Sequence, residues 1–146
     1  MNNKIISLKL PQNYIGIHIR GGDKFIETDV FQINRFMDTA KTKSDCKNIF
    51  ISTDDFRIYE KLKTEYRDYK IYTLCKPTSQ GYFHSEFESD IKNKYEDMIL
   101  LFASMDVLAN SDIFVGTYSS NIGMYLGMRM SKNKVFGVDM DNWVIW

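Results

Sequence analysis

The sequence predicts one α/β domain, a Rossmann-like, doubly wound parallel sheet of about five strands in the order 3-2-1-4-5. Three observations carry this. Five short apolar runs alternate with stretches of helical periodicity, the pattern of a parallel sheet linked by right-handed crossovers. A chain of 146 residues holds one core of ordinary size. Polar residues gather where the first and fourth strands end, the place where open α/β sheets bind ligands.

The first strand covers residues 14–20. Ile15, Ile17 and Ile19 lie on one face, and Gly16, His18 and Arg20 on the other. Gly21-Gly22 ends it, and Ile33, Phe36, Met37 and Ala40 then recur at helical spacing. The second strand is 48–53. Asp54 or Asp55 caps a helix with the stripe Ile58, Tyr59, Leu62 and Tyr66. The third strand is 70–74. Residues 76–94 are polar and irregular, long for a loop in a compact domain, and therefore a candidate functional segment. A helix follows from about Glu96, with Met98, Leu101, Phe102, Met105 and Leu108 expected on its buried face. The fourth strand is 112–116. The hydroxyl-rich turn 117–121 opens a last helix, in which Gly123 and Gly127 stand one turn apart, and the fifth strand is 134–138. The expected organisation is a lead-in over 1–12, the domain over 13–139 and a tail over 140–146.

Composition narrows the function. Nineteen basic residues balance nineteen acidic ones, which gives no electrostatic reason to bind nucleic acid or an anionic membrane. The longest apolar run, 98–103, is far short of the ~20 residues of a membrane span. Cys46 and Cys75 make no disulfide framework, so a reducing, cytoplasmic compartment is the expectation. Two histidines and no CxxC pair argue against a zinc site. GxxxxGK[ST] and a GxGxxG after the first strand are both missing, which sets aside a P-loop and weakens a dinucleotide reading.

Arg20 ends an apolar strand before two glycines, and a guanidinium fork there suits the two oxygens of a phosphate. The other reading pairs it structurally with Asp23 or Asp54. His18 shares its face and is either a site residue or a satisfied core histidine. Thr117, Ser119 and Ser120 stand where a strand becomes a helix, an anion site by its free N–H groups and helix dipole, or simply an N-cap. Asp54 and Asp55 either hydrogen-bond a ribose or base, or cap the following helix. Lys24 and Glu27 follow the glycines. A carboxylate there could accept a proton from a hydroxyl, and the other reading is a solvated charged loop.

These residues resemble a known family. Tyr14-Ile-Gly-Ile-His-Ile-Arg-Gly-Gly-Asp-Lys24 is similar to the H-x-R-R-x-D strand motif of GDP-fucose-dependent fucosyltransferases. Within that group the resemblance is to the α1,6-fucosyltransferases of N-glycan cores and their bacterial nodulation relatives. Ile51-Ser-Thr-Asp-Asp55 resembles their A-T-D-D. Ser111-Asp-Ile-Phe-Val-Gly-Thr-Tyr-Ser-Ser-Asn121 resembles their [AS]-D-[FY]-[FL]-V-x-T-[FY]-S-S-[QN]. The three occur in the family's order, and the resemblance covers roughly residues 13–130.

The resemblance implies the donor-binding, C-terminal half of a GT-B-type, inverting glycosyltransferase that needs no metal and no cofactor beyond its GDP-fucose donor. It implies that Arg20 binds the pyrophosphate and neutralises the departing GDP, an electrostatic role. His18 would line the nucleotide site, and Ser120 and Asn121 would bind the phosphates, with Thr117 and Ser119 also in the donor site. Asp54 and Asp55 would order the pocket. Lys24 would lie near the reacting centre, and Glu27 is the carboxylate nearest the family's base, one residue out of step. The partners implied are a glycan acceptor and a separate acceptor-binding domain. Two departures stand out: Gly21 replaces the motif's second arginine, and Ser104 aligns with a guanine-recognising aspartate, with Asp106 two positions on. They leave two other readings open, a non-catalytic nucleotide-sugar module and an interaction domain with a relic site presenting Trp143 and Trp146.

Overall fold

The computed structural model describes residues 8–20, 31–77, 91–118 and 120–139. In chain order these form β1 (Ile15–Ile19), α1 (Phe31–Lys43), β2 (Asn48–Thr53), α2 (Phe56–Glu65), β3 (Lys70–Tyr72), α3 (Ile91–Ala109), β4 (Ile113–Gly116), α4 (Asn121–Arg129), a 3-10 turn (Lys132–Lys134) and β5 (Val135–Gly137). The sheet order is β3-β2-β1-β4-β5 and every pair is parallel, as the alternation of strand and helix patterns requires. Gly21, Gly22, Lys24, Glu27, Ser119, His84 and the tail 140–146 with Trp143 and Trp146 lie outside the described residues.

Strand alternation builds two cores. Ile15, Ile17 and Ile19 of β1 pack with Ile49 and Ile51 of β2 beneath α1 and α2, through Phe36, Met37, Ile58 and Leu62. On the opposite face Phe50 and Phe114 meet Val107 and Leu108 of α3 and Leu126 of α4. Each of these side chains is essentially fully buried, and burying one of this size contributes about 1.5–3 kcal/mol. Tyr14 ties the second core to its helix. Its hydroxyl donates to the Val107 carbonyl at 2.7 Å, and burial, assisted by Asp112, pushes its pKa up to about 12.

α3 approaches β1 closely because Gly16 leaves room. A Cβ at Gly16 would stand 2.8 Å from the Ser111 hydroxyl and 3.0 Å from Leu108. Ser111 itself sits within hydrogen-bond distance of the Leu108 and Ile113 carbonyls, at 2.6 and 2.9 Å, and shapes the α3–β4 corner.

The element bounds differ from the sequence expectations. β3 ends at Tyr72 rather than at residue 74, and β1, β4 and β5 are each shorter than expected. Thr73 closes β3 instead: its hydroxyl donates to the Ile51 carbonyl and accepts from the Cys75 amide. α3 begins at Ile91, five residues before Glu96. Its buried face also differs from the expected one. Met98, Leu101 and Phe102 are exposed at 51%, 42% and 50%; Leu108 is buried as expected, but with Ala103 and Val107 rather than with them. The helix carries two apolar stripes, and periodicity does not say which of them meets the sheet. No described helix is long and apolar enough to cross a membrane.

Candidate functional site

α1 and α2 cover one face of the sheet, and α3 and α4 the other. The winding therefore reverses between β1 and β4, which are hydrogen-bonded neighbours with Ile17 beside Val115. The described helices that follow β1 and β4 lie on opposite faces, so polar residues at the two carboxyl ends flank the reversal.

From β1 come His18 and Arg20. His18 is buried on the α3 face opposite Ser52 of β2, and its Nδ1 lies 3.4 Å from the Ser52 hydroxyl. Burial lowers its pKa to about 4, against the opposing pull of Asp54; Arg20 lowers it further. The imidazole is thus neutral at physiological pH. Arg20 follows as the first residue past the strand, with an exposed side chain.

Both Asp54 and Arg20 exert their charge on His18, so the carboxyl ends of β1 and β2 form one electrostatic unit. The adjacent Asp55 is 1% exposed and N-caps α2. Its Oδ1 accepts from the Arg57 amide at 3.0 Å and from Arg57 Nε at 2.9 Å, and its Oδ2 accepts from Arg57 Nη2 at 2.7 Å. Of the two candidate caps, Asp55 takes the role, and its own amide donates to the Thr53 hydroxyl.

From β4 comes the turn that opens α4. Ser120 is the N-cap: its hydroxyl accepts from the Gly123 amide at 3.0 Å and donates to the Thr117 carbonyl at 2.9 Å. Asn121 is exposed as the first residue of the helix. The cap and the anion-site readings coexist here, since one hydroxyl satisfies one amide and the helix leads with several. Gly123 is what allows the turn. A Cβ there would overlap the Thr117 carbonyl oxygen. The close approach that Gly123 permits is to the helix's own entry turn.

Two contributors escaped the sequence reading. Ser52 is His18's partner, and its place was implicit in the parallel register of the first two strands. Asp139, just past β5, accepts from the Tyr118 amide at 2.9 Å and pins the β4 turn from the far side. Its signal was an aspartate at a strand's carboxyl end. Asp106 stands apart from this edge. It lies in the last turns of α3, which returns to the start of β4, and pairs with Arg129 of α4 at 2.9 Å. Ser104 is buried in the same helix.

The structure thus brings His18, Arg20, Asp54, Asp55, Thr117, Ser120 and Asn121 to one edge of the sheet. Among the described residues no group of three or more His, Cys, Asp or Glu side chains is placed to hold a metal ion.

The neutral state of His18 has a measurable consequence. Its folded pKa is depressed from 6.5 to about 4, so between those values the unfolded chain takes up a proton that the folded chain refuses. Stability is fully present above pH 6.5 and falls as pH drops toward 4. From pH 7 to 5 this group should cost about 2 kcal/mol. Urea denaturation at both pH values should show that loss in the wild type and a clearly smaller one in His18→Gln. Equal losses in the two proteins would show that His18 does not carry it.

A search of curated proteins finds no significant match. Among solved structures the fold is similar to the crystal structure of NodZ α-1,6-fucosyltransferase soaked with GDP-fucose, with a TM-score of 0.61 and 16% identity. That similarity covers 88% of this chain and 40% of the NodZ chain, so this chain spans less than half of that protein's length. The family described as α-(1,6)-fucosyltransferase N- and catalytic domains matches residues 1–129. With its parallel sheet, its polar cluster at the winding reversal and this match over most of its length, the chain belongs to the α-(1,6)-fucosyltransferase family.

Proposed function

We propose that this chain is the donor half of an inverting, metal-independent fucosyltransferase that binds GDP-fucose at the carboxyl ends of β1 and β4. The observation that carries the reading is that Arg20 and the turn before α4 stand at the carboxyl ends of the neighbouring strands β1 and β4, at the winding reversal. An arginine fork and a helix N-terminus are complementary to a pyrophosphate from two sides.

Each residue then has a role. Arg20 holds the pyrophosphate and stabilises the charge that grows on it as the bond to fucose breaks. Thr117, Ser119 and Asn121 supply donors to the phosphates, and Ser120, whose hydroxyl proton goes to the Thr117 carbonyl, holds the turn that presents them. His18, neutral, lines the nucleotide side and hydrogen-bonds without competing for the anion. Asp54 faces the nucleoside. Asp55, its carboxylate already bound by Arg57, orders the loop that carries Asp54. In the transfer, a glycan hydroxyl attacks the anomeric carbon of fucose, the bond to the β-phosphate oxygen breaks, and its electron pair leaves on GDP. Glu27 accepts the hydroxyl proton and Lys24 stands by the reacting centre. The acceptor is held by a separate acceptor-binding domain.

Thermal unfolding with GDP, and with UDP and ADP as controls, tests donor binding. Ligand at 100 times its Kd stabilises by ~2.7 kcal/mol, a shift of several degrees for a domain of this size. A GDP-specific rise supports the reading, and no rise with any nucleotide refutes it.

A further inference from the structure

We propose that Ser52 is a positioning residue: its hydroxyl fixes the tautomer of His18, placing the imidazole proton on Nε2, where it donates to the bound nucleotide. This deepens the donor-site reading and rests on it for the identity of the ligand. The parallel register sets His18 of β1 beside Ser52 of β2, and both are buried, at 7% and 8% exposure. His18 Nδ1 lies 3.4 Å from the Ser52 hydroxyl, which has no other hydrogen-bond partner among the described residues. The contact is long for a hydrogen bond, so its effects are those of one ordinary bond at most.

The two neutral tautomers differ in how many buried polar groups they leave without a partner. With the proton on Nε2, the Ser52 hydroxyl donates to the Nδ1 lone pair, and only the Nε2 N–H is left over. With the proton on Nδ1, that N–H donates to Ser52, and both the Ser52 O–H and the Nε2 lone pair are left over. Each buried orphan costs free energy, which favours the first arrangement. The Ser52 carbonyl is the competitor. It can only accept, and it pulls the pKa of His18 up, while burial pulls it further down and keeps the ring neutral. The bond made at one ring nitrogen sets the state of the other. Ser52 therefore decides whether His18 offers a ligand a donor or an acceptor.

The remaining N–H points to a ligand. Nε2 is the ring nitrogen farther from the backbone, and among the described residues it has no partner although His18 is buried. A neutral donor two residues before Arg20 suits an acceptor oxygen of a nucleotide, and it adds direction where the guanidinium adds charge.

Long-range ¹H–¹⁵N correlation spectra of the ligand-free chain at pH 7 test the tautomer, with His84→Gln to identify the His18 signals. The expected result is a proton on Nε2 in the parent, and a proton moved wholly or partly to Nδ1 in Ser52→Ala, where only the carbonyl is left. Ser52→Thr keeps the hydroxyl and should behave as the parent. In calorimetric titration Ser52→Ala should bind GDP about fivefold more weakly, the worth of one hydrogen bond. A purely structural role would lower the melting temperature of Ser52→Ala and leave the ring nitrogens as they were. A proton on Nδ1 in the parent, or the same tautomer in parent and Ser52→Ala, overturns the proposal. A moved proton with undiminished GDP affinity overturns the contact with the nucleotide. A parent that binds no GDP refutes the donor-site reading, and the nitrogen shifts still decide the role of Ser52.

Discussion

Gly123→Ala should cost roughly 3 kcal/mol, the upper end of what overpacking costs, and should also abolish donor binding. The added Cβ would overlap the Thr117 carbonyl oxygen and come within 3.0 Å of the Ser120 hydroxyl. The first obstacle is backbone, so no side-chain rotation relieves it. Either α4 shifts away or the turn over residues 117–120 opens, and opening also breaks the Ser120 bonds to Thr117 and Gly123. A cap of that kind is worth about 1 kcal/mol by itself. Ser120→Ala removes the cap without adding bulk and should lose only that smaller amount. Urea denaturation of both variants separates the effects. A Gly123→Ala loss no larger than that of Ser120→Ala would mean that the turn yields easily and that Gly123 is not its determinant.

Arg20→Ala should weaken GDP binding by 30-fold or more while leaving the melting temperature of the free protein nearly unchanged. Truncating one partner of a close charge pair costs about 2–5 kcal/mol, and each 1.4 kcal/mol is tenfold in affinity. The fold is spared because Arg20 lies past the end of β1 with its side chain exposed, outside both cores. Arg20→Lys keeps the charge and loses the two-pronged geometry, so it should recover part of the affinity. Isothermal titration of the three proteins decides. Undiminished GDP affinity in Arg20→Ala would remove this residue from the site. A variant that also melts early would assign it a structural role instead.

The sheet was legible because its signal is redundant. Ile15, Ile17 and Ile19 alternate with residues of another kind, and Ile49, Phe50 and Ile51 add a short continuous apolar run of strand length. Once five parallel strands are granted, right-handed crossovers leave few orders open, and the observed one follows. The site edge followed too, since topology alone places the ends of β1 and β4 side by side. Motif order then named His18, Arg20, Asp54, Asp55, Thr117, Ser120 and Asn121 as its occupants.

What sequence by itself determined, then, is the element order, the sheet and the set of polar residues at its carboxyl edge. All of these depend on periodicity and chain connectivity, which are local properties. Only the tertiary structure decided which stripe of α3 is buried, because Met98, Leu101 and Phe102 are as hydrophobic as Val107 and Leu108. Hydropathy does not separate the two stripes; in the folded chain Leu108 packs closely over Gly16. Only the tertiary structure showed that Asp55 is held by Arg57, that Asp139 reaches the β4 turn, and that His18 is neutral beside Ser52. Each of these depends on which groups approach through space and how much water their approach removes, and a linear chain records neither.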